Sequence, residues 1–120
     1  MDNTLWEVID RMTESTRAGN LVWEDVSSLS AGDRFRVNFG DTVVDIRQGE
    51  RVEHSDEFGQ VHVGYIRFQV LNDKGFIVDS VEHDIGTTWY QKLSTLLDAA
   101  RGSGRRRKAV LEKLLTTLSK

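Results

Sequence analysis

The chain has 120 residues, 38% hydrophobic and 29% charged, which fits one folded domain spanning 1–120 with a core of its own and excludes a disordered or fibrous chain. The absence of cysteine removes disulfides, thiolate nucleophiles and thiolate metal sites, and no apolar run approaches a membrane span. Net charge is −3, yet residues 1–60 hold 13 acidic and 6 basic side chains while residues 61–120 hold 6 acidic and 10 basic, an asymmetry that can steer a charged partner.

The opening Met1-Asp2-Asn3-Thr4 is polar and acidic. It lacks the positive segment and apolar run of a secretory signal, so the expectation is a soluble cytoplasmic protein. Thr4-Leu5-Trp6-Glu7 has capping-box spacing and predicts a helix start. Leu5, Val8, Ile9 and Met12 form its apolar stripe, which Trp6 widens, and Gly19 stops it behind Arg17. Leu21-Val22-Trp23 is a compact apolar cluster where the chain folds back, and Ser27 to Gly32 reads as a polar connection.

The period then changes to two. Phe35, Val37 and Phe39 alternate with Arg34, Arg36 and Asn38, predicting a half-buried strand. Gly40-Asp41 turns the chain into a second strand over Thr42 to Gln48, with Val44 and Ile46 inward. Gly49 to Gln60, charged and glycine-punctuated, predicts a long surface loop or hairpin tip. A third strand runs from Val61 to Leu71. Its apolar alternation changes phase beside Gly64, which predicts a β-bulge or sharp bend there. Asn72-Asp73-Lys74-Gly75 gives a hairpin turn, and a fourth strand returns over Phe76 to Glu82.

Thr88-Trp89-Tyr90-Gln91 is a second capping-box match. Trp89, Leu93, Leu96, Leu97 and Ala100 share one helical face, as do Val110, Leu111, Leu114, Leu115 and Leu118. Between them Gly102-Ser103-Gly104 reads as a turn, followed by Arg105-Arg106-Arg107-Lys108. The expected fold is α+β: an N-terminal helix, a four-stranded antiparallel meander, and two C-terminal helices packed on one face of the sheet.

Chemistry-bearing patterns are few. Histidines are His54, His62 and His83; pairing of the last two strands could bring His62 and His83 together with Glu82 or Asp84 as a metal site, although the spacing matches no known ligand signature. Asp41, Asp45, Glu50, Glu53, Asp56 and Glu57 sit in hydrophilic sequence suited to solvated loops rather than to an acid–base pair. Nucleotide-binding glycine patterns and calcium-loop spacing are absent. No enzyme activity, metal or cofactor is therefore expected.

The basic run is the sharpest candidate surface. Arg101, Arg105, Arg106, Arg107 and Lys108 place five cations in eight residues. At the first turn of a last helix they would oppose its dipole. A glycine-containing turn before an arginine-rich helix resembles, in outline, a helix–turn–helix recognition element. The outline of the whole chain, with its Leu21–Glu24 segment, meander and leucine-rich helices, is similar to small bacterial proteins of unknown function. The expected function is a non-catalytic protein-interaction module of bacterial or phage origin, of the immunity-protein, antitoxin or phage-encoded inhibitor type. Its partner would be another protein, with no membrane contact and with a homodimer open. The alternative is a nucleic-acid-binding regulator that uses the basic turn.

Overall fold

A computed structural model describes residues 4–29 and 32–119. Residues 1–3, 30, 31 and 120 lie outside the described residues, and with them the polar N-terminus and the middle of the connection expected between Ser27 and Gly32. The order is α1 (Thr4–Arg17), β1 (Glu24–Asp25), β2 (Arg34–Asn38), β3 (Thr42–Ser55), β4 (Gly59–Asn72), β5 (Ile77–Asp84) and α2 (Thr88–Leu118). The α+β class and the antiparallel sheet stand. The sheet has five strands in the order β1-β2-β3-β4-β5 rather than four, and the described residues hold two helices rather than three.

Helix α1 starts at Thr4 as its sequence predicts, but its buried face is rotated. Trp6, Ile9, Met12, Thr13 and Thr16 are buried, whereas Val8 is exposed. The two threonines tolerate burial because each donates its hydroxyl to a carbonyl one turn back, Thr13 to Ile9 at 2.9 Å and Thr16 to Met12 at 2.7 Å. Gly19, at φ 82°, ends the helix in the left-handed region that a side chain disfavours. Trp23 is fully buried, and its indole N–H donates to the Thr16 hydroxyl at 2.9 Å. The unexpected strand β1 follows at once. Glu24 and Asp25 are polar and exposed, so only their register opposite Arg36 and Phe35 identifies them as a strand.

Strand alternation puts Phe35, Val37, Val44, Ile46, Ile66 and Phe68 on one face, where both helices cover them in a single core cluster with Leu93, Leu96, Leu97 and Ala100. Phe39 lies past the end of β2 and is half exposed, so it is not core. The surface loop expected between Gly49 and Gln60 is a hairpin: β3 and β4 pair without interruption from Thr42↔Asn72 to Ser55↔Gly59. Main-chain pairing satisfies the backbone polar groups of both strands along this length. The bulge expected beside Gly64 is also absent, since the register passes through Glu50↔Gly64 unbroken. Val61, Val63 and Tyr65 simply occupy the opposite face from Ile66, Phe68 and Val70. Gly64 serves another purpose, because a Cβ there would stand 2.6 Å from Ile85 Cδ1. The irregularity in β4 falls instead at Val70/Leu71, opposite β5.

The largest correction concerns α2. It is one helix of 31 residues, not two helices joined by a basic turn. Ser103 and Gly104 are helical because smallness, not flexibility, is what their positions require, and Gly102 is carried in the same helix. The Ser103 hydroxyl accepts the Trp23 backbone N–H at 2.9 Å and donates to the Leu21 carbonyl at 3.3 Å. A Cβ on Gly104 would lie 3.2 Å from Phe35 Cε1. The small residues thus let the helix lie directly on the Leu21–Trp23 segment and on β2. At the other end, the expected capping box does not form. Thr87 is the cap residue, and its hydroxyl donates back to the Asp84 carbonyl at 2.9 Å.

Candidate partner-binding surface

At about 3.6 residues per turn, five turns of α-helix return a side chain to the same line along the axis. Leu93, Leu96, Leu97 and Ala100 therefore recur in line as Leu111, Leu114, Leu115 and Leu118. The first set is buried against the sheet and α1; the second is exposed by 46%, 51%, 66% and 78% in turn. At about 1.5 Å per residue the helix is roughly 46 Å long, and it contributes to a longest dimension of 61 Å against 33 and 28 Å across. The leucines expected to cover the sheet instead extend past it.

Two shallow grooves flank the point where α2 leaves the body. One, of about 300 Å³, is lined by Leu21, Val22, Val110 and Leu111 with Arg106 and Arg107 at its margin. The other, of about 320 Å³, runs between Glu24 and Asp25 of edge strand β1 and Lys108, Leu111 and Leu115. Asp25 is held below the usual carboxylate range, first by hydrogen bonds from Ser27 and in smaller part by the nearby charge of Lys108.

The basic run divides. Arg101 is engaged inside the molecule, bridging Asp33 at 2.7 Å and Asp98 at 2.9 Å, and so ties α2 to the segment before β2. Arg105, Arg106, Arg107 and Lys108 are exposed and form no ion pair among the described residues. Because they sit in mid-helix, the conflict with the helix dipole disappears. Arg107 and Lys108 lie on the leucine face, about two turns before Leu114 and Leu115. Without a turn before them, the helix–turn–helix likeness also lapses.

The histidines do not converge. His83 pairs with Ile66 and packs against Trp6, ring centroids 5.6 Å apart. His62 lies on the overhanging hairpin, 3.6 Å from Glu50 and about 13 Å along β4 from Ile66. Asp84 is bound by Arg51 on the other face. Among the described residues, no group of three or more potential metal ligands is gathered. No described helix is long and apolar enough to cross a membrane. No family model, curated protein or solved structure matches the chain.

The sequence contained a signal for the uncovered surface that burial-seeking periodicity hides. Two leucine sets that repeat in phase over five turns describe one continuous helix face as well as they describe two separate helices.

Proposed function

We propose that this chain is a small non-catalytic module that binds another protein, of the kind represented by immunity proteins, antitoxins and phage-encoded inhibitors. Its partner covers the C-terminal half of α2. The observation that carries this reading is the exposed line Leu111, Leu114, Leu115 and Leu118, continuous with a line that is fully packed one half-helix earlier. Isolated surface leucines are ordinary, but a contiguous apolar ridge on an ordered element is an interaction surface. Burying four leucines contributes roughly 6–10 kcal/mol before the cost of association is subtracted.

Charge selects the partner's chemistry. Arg107 and Lys108 lie on the ridge's own side of α2 and Arg106 at the margin of one adjoining groove, while Glu24, Asp25 and Glu112 line the other. The complementary surface is an amphipathic helix with carboxylates beside its apolar stripe. A parallel second copy would set the two arginine clusters against each other, which opposes self-pairing.

The test uses synthetic helical peptides with leucines at helical spacing and either glutamates or lysines on the flanks. The glutamate peptide is expected to bind, and the lysine peptide not to. Leu114→Asp abolishes binding without loss of fold, and Arg106→Glu with Arg107→Glu, at the margin of the adjoining groove, reverses the preference. A concentration-dependent dimer that Leu114→Asp dissolves would mean that a second copy covers the ridge. Salt-dependent retention of DNA, lost in the double arginine variant, would favour the nucleic-acid reading instead.

A further inference from the structure

The sheet face turned away from both helices carries Arg34, Arg36, Arg47, Arg51 and Arg67. Arg34 is directly opposite Arg47, and Arg47 directly opposite Arg67, so three guanidinium-bearing residues form one row across β2, β3 and β4. Neighbouring strands are about 4.8 Å apart, and like charges in such a row destabilise a sheet.

Four of the five arginines have partners. The buried carboxylate of Asp45, 1% exposed, accepts from Arg34 Nε at 2.8 and 3.0 Å and from Arg36 Nη2 at 3.3 Å. Glu82 accepts from Arg67 Nε at 2.8 Å, and the Arg67 guanidinium stands 5.3 Å from the Tyr65 ring centroid. Arg51 is shared among Glu53, Glu82 and Asp84. The side chain of Arg47, at the centre of the row, makes no ion pair or hydrogen bond among the described residues, and its Nε is shut off from solvent with no acceptor. Carboxylates and an aromatic ring thus hold the outer guanidiniums in place around one that is unmatched. Guanidinium forks fixed in this way suit an oxyanion with two oxygens to offer, and their fixed positions reduce the ordering cost of binding it.

We infer that Arg47, flanked by Arg34 and Arg67, binds an oxyanion, a carboxylate or a phosphoryl group, through its terminal Nη groups on the open face of the sheet, its Nε lying behind them out of the ligand's reach. This site is separate from the leucine ridge of α2 and does not depend on it.

The experiment follows the arginine Nε–Hε resonances of the ¹⁵N-labelled protein during titration with sodium phosphate and, separately, sodium acetate, each against sodium chloride at matched ionic strength. The Arg47 resonance is expected to move furthest and to saturate, and Leu114→Asp leaves that response unchanged. A response to phosphate alone makes the ligand a phosphoryl group; an equal or larger response to acetate makes it a carboxylate. Arg47→Gln removes the accompanying shifts at Arg34 and Arg67. A second measurement needs no ligand: Arg47→Thr, which removes both the repulsion and the unpaired donor, is expected to melt about 3–5 °C above the parent chain. The inference is overturned if Arg47 follows the chloride control, if it moves no more than Arg105 to Arg107, or if Arg47→Thr melts below the parent.

Discussion

The hydroxyl of Ser103 accepts the backbone N–H of Trp23 at 2.9 Å, joining positions 80 residues apart in the chain. Both groups are buried, so Ser103→Ala leaves a main-chain donor with neither protein acceptor nor water. The expected cost is about 1–3 kcal/mol, read as a lower midpoint in urea unfolding with an unchanged slope.

The two glycines beside Ser103 should respond to substitution with opposite signs. A Cβ on Gly102 meets nothing nearer than the end of the Arg106 side chain at 4.0 Å, so Gly102→Ala gains helix propensity and stabilises by up to about 1 kcal/mol. At Gly104 the nearest atoms are the ring carbons of Phe35 at 3.2 and 3.4 Å. Gly104→Leu overpacks that contact and is expected to cost about 2–3 kcal/mol. If both variants melted alike, small size would not be what keeps this segment on the sheet.

Thr16 connects α1 to the same corner, since its hydroxyl accepts the Trp23 indole N–H. Thr16→Val keeps the volume and removes the acceptor, for an expected cost of about 1–2 kcal/mol. Thermal unfolding measures the loss, and Trp23 fluorescence reports the change at the indole itself.

On the outer face, Asp84 is held below the usual carboxylate range, chiefly by its hydrogen bond from Arg51. A carboxyl whose folded pKa is depressed contributes stability that is complete above its unfolded value, about 3.9, and is lost as pH falls through the folded one. Arg51→Gln should raise the Asp84 midpoint, followed by the carboxyl ¹³C resonance. It should also make the loss of stability below about pH 4 shallower. An unchanged midpoint would show that Arg51 is not the cause.

Much of this architecture is written in local pattern. The alternation of Phe35, Val37, Val44, Ile46, Ile66 and Phe68 marks the inner sheet face, and Gly19, Gly40 and Gly75 mark turns that do take positive φ. What sequence reading misses depends on distant contacts. Glu24 and Asp25 have no strand character of their own and acquire it from the neighbouring β2. Gly102 and Gly104 carry a helix-breaking preference of about 1 kcal/mol each, which the packing of Ser103 and Gly104 on Trp23 and Phe35 overrides. The candidate surface was half legible. Arg105 to Lys108 stand out in composition, whereas the neighbouring leucines look like ordinary core until the length of α2 carries them past the sheet. Arg47 was the least visible, because an arginine in a strand signals nothing until its cross-strand neighbours are known.

Because α2 is one helix with a packed half and an uncovered half, its order is graded along its length. A helical segment of about fifteen residues is marginal in water by itself, so residues beyond Lys108 owe their helicity to the turns anchored at Ser103 and Gly104. Amide exchange should therefore be slow through Leu93–Ala100 and quicken progressively from Arg105 to Leu118. A partner that seats on the ridge would slow the fast half alone. Its arrival could be read from within the backbone of this chain, without any label on the partner.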